Sequence, residues 1–539
     1  MNMNYIKRIL ICIPLILLLI SCSGIVTVPE YDNQDKETVG GQENEPVPVF
    51  VRSIVTLDKE VRIKSGETAE IKCQITPSDA EVILEDMLIN TEKLELVSVN
   101  ESKDSGGNVI EGQYTLTVSD KETNIDYIEA IRIVYMPETE HEVSSGIITV
   151  IKEFSPQLPK VYITTPGNKD ITSKTDWMSG AQIKIVDRNG DVNLDMSTSI
   201  RGRGNSTWGY PKKPYALKLD SKSEVLGMPK HKRWVLLANW MDRTLMRNDV
   251  AFELGRRVME WAPRGRFVEL YLNGQHLGNY YLCEQIKVDK NRVNVDELDE
   301  DTDFTDSEQL SGGYILEFDV YGPSDEANYY YTSVKSYPVA IKEPDEEVIT
   351  SWNHPGFVYI SGYTNTIEQI LEKDKRSNIR WNEIKELIDV NSYIDWWIIH
   401  ELTTNWEPGH PKSSYMFKKR NGKLFAGPLW DFDWGTFQAY KGVCNSESLW
   451  YDYLFKYTEF KNAVKKRWAE TKESYMSMDT YIAATAAYIQ ESDKVNFKMW
   501  PIDMDVNGDE TCTFNEAINR MRTSYQTRLE FVESYISGL

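Results

Sequence analysis

The chain has 539 residues, more than one hydrophobic core usually organises, so two or three domains are expected. Its 83 acidic residues against 60 Lys and Arg leave a net charge of −23, the wrong sign for gripping a phosphate backbone, which argues against nucleic acid as a partner. With 41% hydrophobic and 11% aromatic residues, the chain has ample material for buried cores.

At the N-terminus Lys7 and Arg8 precede "ILICIPLILLLISC", an apolar run short for a membrane span and flanked as a secretory signal is. Leu19-Ile20-Ser21-Cys22 resembles the bacterial lipobox. Residues 1–21 are therefore expected to be a signal peptide, with Cys22 lipidated and the protein anchored to a membrane of the cell envelope. Residue 23 is Ser rather than Asp, which points to the outer membrane if the cell is Gram-negative. Residues 22–48 are polar, acidic and rich in Pro and Gly, as a flexible tether is. Cys73, Cys283, Cys444 and Cys512 are scattered without CxxC spacing, so isolated thiols are expected rather than a zinc site or disulfide framework.

Residues 49–154 carry short β-type runs separated by polar turns, among them "AEIKCQITP", "QYTLTVSD" and "SGIITVIKEF". Several strands at hairpin spacing without helical stretches predict an all-β immunoglobulin-like sandwich. No catalytic cluster of His, Asp or Glu falls in it, so the expected role is a spacer or a carbohydrate-contacting module. "SPQLPK", 155–160, is the expected linker to an α+β domain over 155–530 that ends in helices.

In that second domain the order of elements is informative. Residues 181–187 and 198–203 read as strands, followed by "RGRGNSTWGYPKK", a turn with three glycines and several cations. "PYALKLD" then alternates, placing Tyr215, Leu217 and Leu219 on one face and Lys218 on the other. A helix follows in "MDRTLMRNDVAFELGRRVMEW", with Asp242 or Thr244 as its cap. The runs "RFVELYL" and "GNYYLCEQI" then flank Asn273-Gly274, a strong hairpin signal. Glycine-rich turn, lysine strand, helix and hairpin is the order of a protein kinase small lobe.

The far end supplies a second block. "NSYIDWWIIHELTT" reads as an apolar helix capped by Asn391, followed by the irregular "NWEPGHPKS", two short strands about "RNGK", and Asp431-Phe432-Asp433-Trp434-Gly435. A kinase large lobe runs in the same order: apolar helix, catalytic loop, two strands, metal-binding Asp.

"IRGRGNSTW", "PKKPYALKLD", "LLANWMDRTLMRNDVAFEL", "VELYLNGQHLGNYYLCEQI", "GGYILEFD" and "GPLWDFDWG" together resemble the CotH family, the spore-coat protein H kinase relatives, over roughly residues 158–525. The resemblance implies a two-lobed, protein-kinase-like fold that binds ATP with Mg2+ or Mn2+ and transfers the γ-phosphate to Ser or Thr of exported or surface proteins. It assigns Asp431, with Asp433 close behind, to the metal. Arg201, Arg203, Lys213 and Lys218 are the candidate phosphate cations, with the two lysines as rivals. Glu284 either pairs with one of those lysines, lies near the adenine end, or makes a plain cross-strand ion pair. Arg247 and Asn248 also match a family motif, Arg247 as a pin between helix and lobe.

The chain departs from the family pattern in two places. Glu407 stands where many members have an Asp, and Ser414 where they have an Asn. Glu407 has the same functional group one methylene longer and is the candidate catalytic base, with His410 as a weaker alternative in the same loop. The alternative function is a kinase-like surface scaffold or binding lipoprotein with impaired catalysis. A glycan-degrading enzyme would need a carboxylate pair in suitable context, and none is evident. "DMDVNGDETCTFNEA" begins like a calcium loop, but neither register supplies both the Gly and the Glu such a loop requires, so it is read as a polar loop capping the last helix.

Overall fold

The computed structural model describes residues 49–539 except 65, 81, 122–126, 153–157 and 326. The expected signal peptide, the Cys22 lipidation site and the tether lie outside the described residues, as do residues 155–157 of the linker.

Residues 53–152 form short strands in three sheets about one core. Ser53–Thr56, Thr68–Thr76, Val109–Asp120 and Leu94–Lys103 lie side by side in that order. Ile148–Lys152 pairs parallel with Glu60–Ile63 and antiparallel with Ile128–Ile131. Met87–Ile89, Ile133–Tyr135 and Val143–Ser144 form the third sheet. Alternation puts Ile71, Cys73 and Ile75 inside, against Leu116, Val118, Ile131 and Val150. Each such side chain contributes roughly 1.5–3 kcal/mol by leaving water. This module is not held off as a spacer. Its strands Ile128–Ile131 and Ile148–Lys152 touch the helix Met478–Met499, and Arg132 Nη2 donates to Ser474 Oγ at 3.4 Å beside Glu473.

The next strands close into a barrel. In order round it run Lys160–Thr164, Met178–Val186, Val192–Gly202, Tyr215–Val225, Met228–Leu237, Gln275–Glu284 and Gly265–Leu272, and the last pairs parallel with the first. Register shifts between Met178 and Ala181 and between Lys218 and Ser223 bend the strands enough for closure. Ile183, Ile200, Leu217, Trp234, Leu270 and Leu282 fill the interior. The predicted hairpin is present, with Asn273 at φ 51° and Gly274 at φ 80° as its turn requires. The run "MPKHKRWVLL", unassigned by the sequence, is the strand that links the lysine strand to the hairpin.

A mixed α+β region completes the molecule, so the coarse expectation of β-rich residues followed by an α+β domain holds. A five-stranded sheet runs Tyr329–Tyr331, Pro338–Glu343, Tyr314–Phe318, Ser414–Lys418, Leu424–Ala426. The helix Val390–Leu402 is the predicted apolar one, but its cap is Asp389, whose carboxylate accepts Ser392 N, rather than Asn391. The helix Arg247–Val258 packs against it and against Thr458–Met476. Asp242 holds the start of that helix by accepting Arg247 N at 2.8 Å. Thr513 and Glu516 form a capping box on the last helix, Phe514–Gly538, as the reading of that loop required. Cys73 and Cys283 are buried free thiols, and no described helix is long and apolar enough to cross a membrane.

Candidate functional site

A cavity of about 750 Å³ opens between the barrel and the five-stranded sheet. One wall is the loop joining the strands Val192–Gly202 and Tyr215–Val225. Gly202 and Gly204 shape it. A Cβ on Gly202 would meet the Trp208 ring at 2.4 Å, and Gly204 sits at φ 84° with the Thr207 hydroxyl 2.0 Å from where its Cβ would be. Arg201, Arg203, Asn205, Ser206 and Thr207 from this loop line the cavity. Arg201 Nη1 donates to Thr175 O and its guanidinium lies over Trp177, while Arg203 lies over Trp430. Leu237, Ala238, Trp240, Met241 and Ile286 add an apolar side.

The opposite wall is acidic. Glu317 and Asp319 come from the strand Tyr314–Phe318 and its exit, Glu407 from a short 3-10 turn, Asp431 and Asp433 from the loop after the last sheet strand. That loop is held on all sides. Asn405 Nδ2 donates to Asp431 O, Asn248 Oδ1 accepts Phe432 N, and Asn507 Nδ2 donates to Asp433 O. Asp431 itself has φ 65°, a conformation that costs free energy and persists here because these bonds fix it. Asn405 also accepts Glu407 N at 3.0 Å, so one side chain ties both acidic loops together.

So many carboxyls in one hollow raise one another. Burial, then the charges of Asp431 and Asp319 opposed by Lys412, push Glu407 up to about 8. Burial and Glu317 push Asp319 up to about 6, and burial raises Asp431 and, with the charge of Asp431 beside it, Asp433 further. Glu407 Oε2 is buried without a hydrogen-bond partner, and Lys412 Nζ stands 3.8 Å from Oε1.

Of the residues expected from sequence, Arg201, Arg203, Glu407, Asp431 and Asp433 all line this cavity. Lys213 and Lys218 do not. Lys213 Nζ donates to Trp208 O and so braces the loop, and Lys218 is exposed because its strand turns Leu217 and Leu219 into the barrel. Glu284 is also outside the lining. It is buried in a two-pronged ion pair with Arg264, 2.8 and 2.9 Å, with Arg292 3.5 Å away, which is the plain ion-pair reading. His410 is exposed and outside the lining. Arg247 is the pin it was read to be, joining Asp242 to Asp509. The sequence reading passed over Lys212, Glu317, Asp319, Lys342 and Lys412. The run "YILEFD" brings two of them, Glu317 and Asp319, to the cavity.

Oxygen donors suit a hard divalent cation, and Glu407 Oε2 is a buried oxygen without a hydrogen-bond partner. Among the described residues no three His, Cys, Asp or Glu side chains are gathered closely enough to hold a metal alone.

Fold and site define a protein built from a β-module, a closed barrel and an α+β region round one acid-lined cavity. Residues 200–532, well over half the chain, match the family described as "CotH kinase protein". The chain belongs to that family and is a CotH-like, kinase-related protein. No curated protein matches it. Solved structures with some likeness include the surface layer protein SbsC, domains 4–9, at 16% identity over 35% of this chain and 31% of that one, TM-score 0.13. Fibronectin(III)-like modules of Clostridium thermocellum CbhA match at 9% identity over 33% of this chain and 90% of theirs, TM-score 0.11. TM-scores this low carry no structural argument, and the chain spans about a third of the SbsC structure.

Proposed function

We propose that the protein is a surface-anchored protein kinase of the CotH type, which binds ATP with Mg2+ or Mn2+ and phosphorylates Ser or Thr of exported or surface proteins. The observation that carries this reading is the meeting, across one cavity, of Arg201 and Arg203 with Glu407, Asp431 and Asp433. In this reading the N-terminal module is an immunoglobulin-like sandwich, the barrel and the helix-backed sheet are the two lobes, and Cys22 carries the lipid anchor in the envelope.

Asp431 and Asp433 would hold the cation, whose contribution is to neutralise charge on the phosphates. The glycine-rich loop closes on the phosphates and brings Arg203, stacked on Trp430, to their oxygens. Glu407 takes the acceptor's hydroxyl proton. The Ser or Thr oxygen forms its bond to phosphorus as the bond from phosphorus to the ADP oxygen breaks. Burial and the charges of Asp431 and Asp319 push Glu407 up to about 8, and a cation held at Asp431 and Asp433 would offset those charges and favour the carboxylate that accepts the proton.

A second reading, a kinase-like scaffold without transfer, is favoured by Glu407 replacing Asp and lying near Lys412 Nζ. Labelled ATP incubated with the protein and an envelope extract separates the two. Transfer of label that is lost in Asp431→Asn supports the kinase. Nucleotide binding without any transfer supports the scaffold.

A further inference from the structure

Lys174, Lys212, Lys287, Lys342 and Lys412 line the cavity and are not equivalent. Lys174 Nζ donates to Asn205 Oδ1 on the glycine-rich loop, Lys287 pairs with Glu343, and Lys412 stands 3.8 Å from Glu407. Lys212 Nζ has three hydrogen bonds, to Ala238 O at 2.7 Å, Asn496 Oδ1 at 2.8 Å and Asn279 O, which use every N–H an ammonium has. Lys213 braces Trp208 and Lys218 faces solvent. Lys342, on the strand Pro338–Glu343, lines the cavity with its Nζ 3.2 Å from Glu317 Oε2.

Strand register explains the pair. Glu317 lies opposite Ala340, and the register shift between Ile315 and Leu316 leaves Lys342 as the extra residue between Ile341 and Glu343, where its Nζ reaches Glu317. Glu343, opposite Ile315, pairs with Lys287, another lysine that lines the cavity. On its other side Glu317 lies opposite Tyr415, another cavity residue, and Asp319 follows two positions on. The charge of Glu317 acts on both Asp319 and Asp431. The ion pair thus borders the acidic wall, on a rigid strand of a buried sheet.

We propose that Lys342, held in place by Glu317, is the lysine that grips the non-bridging phosphate oxygens of the nucleotide. This rests on the nucleotide reading above and replaces Lys213 and Lys218 within it. An ammonium fixed by a carboxylate is pre-positioned, and phosphate oxygens add charge-assisted bonds to it. The run Val339-Ala340-Ile341-Lys342 has the order of the strand that presents the phosphate lysine in protein kinases.

Isothermal titration of the full protein with Mg-ADP and with adenosine tests this. In Lys342→Met, Mg-ADP affinity is expected to fall at least about tenfold with adenosine affinity held within about twofold, because only the phosphate contact is removed. Lys218→Met, on the exposed face, is expected to keep both affinities within about twofold. A loss in Lys342→Met below about tenfold, an equal loss for adenosine, or a larger loss in Lys218→Met would overturn the assignment. Circular dichroism checks folding. If Lys342→Met does not fold, Glu317→Gln/Lys342→Met leaves no unpaired charge and takes its place under the same criteria. Wild-type protein that binds neither ligand would instead refute the nucleotide reading itself.

Discussion

Arg247 carries two buried carboxylates at once. It joins Asp242, at the start of its own helix, to Asp509, 262 residues further along the chain. Arg247→Ala would strand both acids and is expected to cost about 3–5 kcal/mol in chemical denaturation, whereas Lys218→Ala on the exposed face should stay within about 0.5 kcal/mol. Titration follows from the acidic wall. Asp319 at about 6 and Glu407 at about 8 both sit above ordinary carboxylate values. Above pH ~4.5 the unfolded chain has released protons that the fold still holds, so folding stability falls as pH rises through that window to about 8. Thermal midpoints in EDTA should therefore decline between pH 5 and 8, with Glu407→Gln flattening the upper part. A midpoint that climbs over that range would contradict this. At this scale the acids of the two loops were legible, because contiguous motifs carried them. The phosphate lysine was not, because alternation says which residues share a face but not which face meets the cavity. Glu284 was left open because its partner, Arg264, is 20 residues away on the neighbouring strand.

Among the elements, the glycine-rich loop is the most exacting. Its Gly202 has no room for a methyl group against Trp208, and Lys213 fastens the same tryptophan through its carbonyl. Gly202→Ala should displace the ring, costing about 1–3 kcal/mol of stability and weakening nucleotide binding, as thermal denaturation and titration of one preparation would show. The hairpin at Asn273-Gly274 and the apolar helix at 390–402 were readable from turn chemistry and periodicity. Barrel closure was not, because it depends on register shifts and on the parallel pairing of Lys160–Thr164 with Gly265–Leu272, about a hundred residues apart in sequence. The strand Met228–Leu237 was missed because His231, Lys232 and Arg233 break its apolar run, although His231 is buried and only Lys232 of the three is fully exposed.

In the whole molecule one helix links the distant parts. Met478–Met499 touches the β-module, bonds the barrel through Ser492 to Asn279, and sends Asn496 to Lys212 at the cavity. The module that reads in sequence as a spacer or a carbohydrate-contacting module touches the family domain, since composition reveals a module but not the face it buries. The central claim, that the cavity binds a metal-bound nucleotide, is tested most directly by titrating Mg-ATP into the purified protein. A saturable heat is expected, abolished by EDTA and by Asp431→Ala. No heat from the wild-type protein in excess Mg2+ would contradict it.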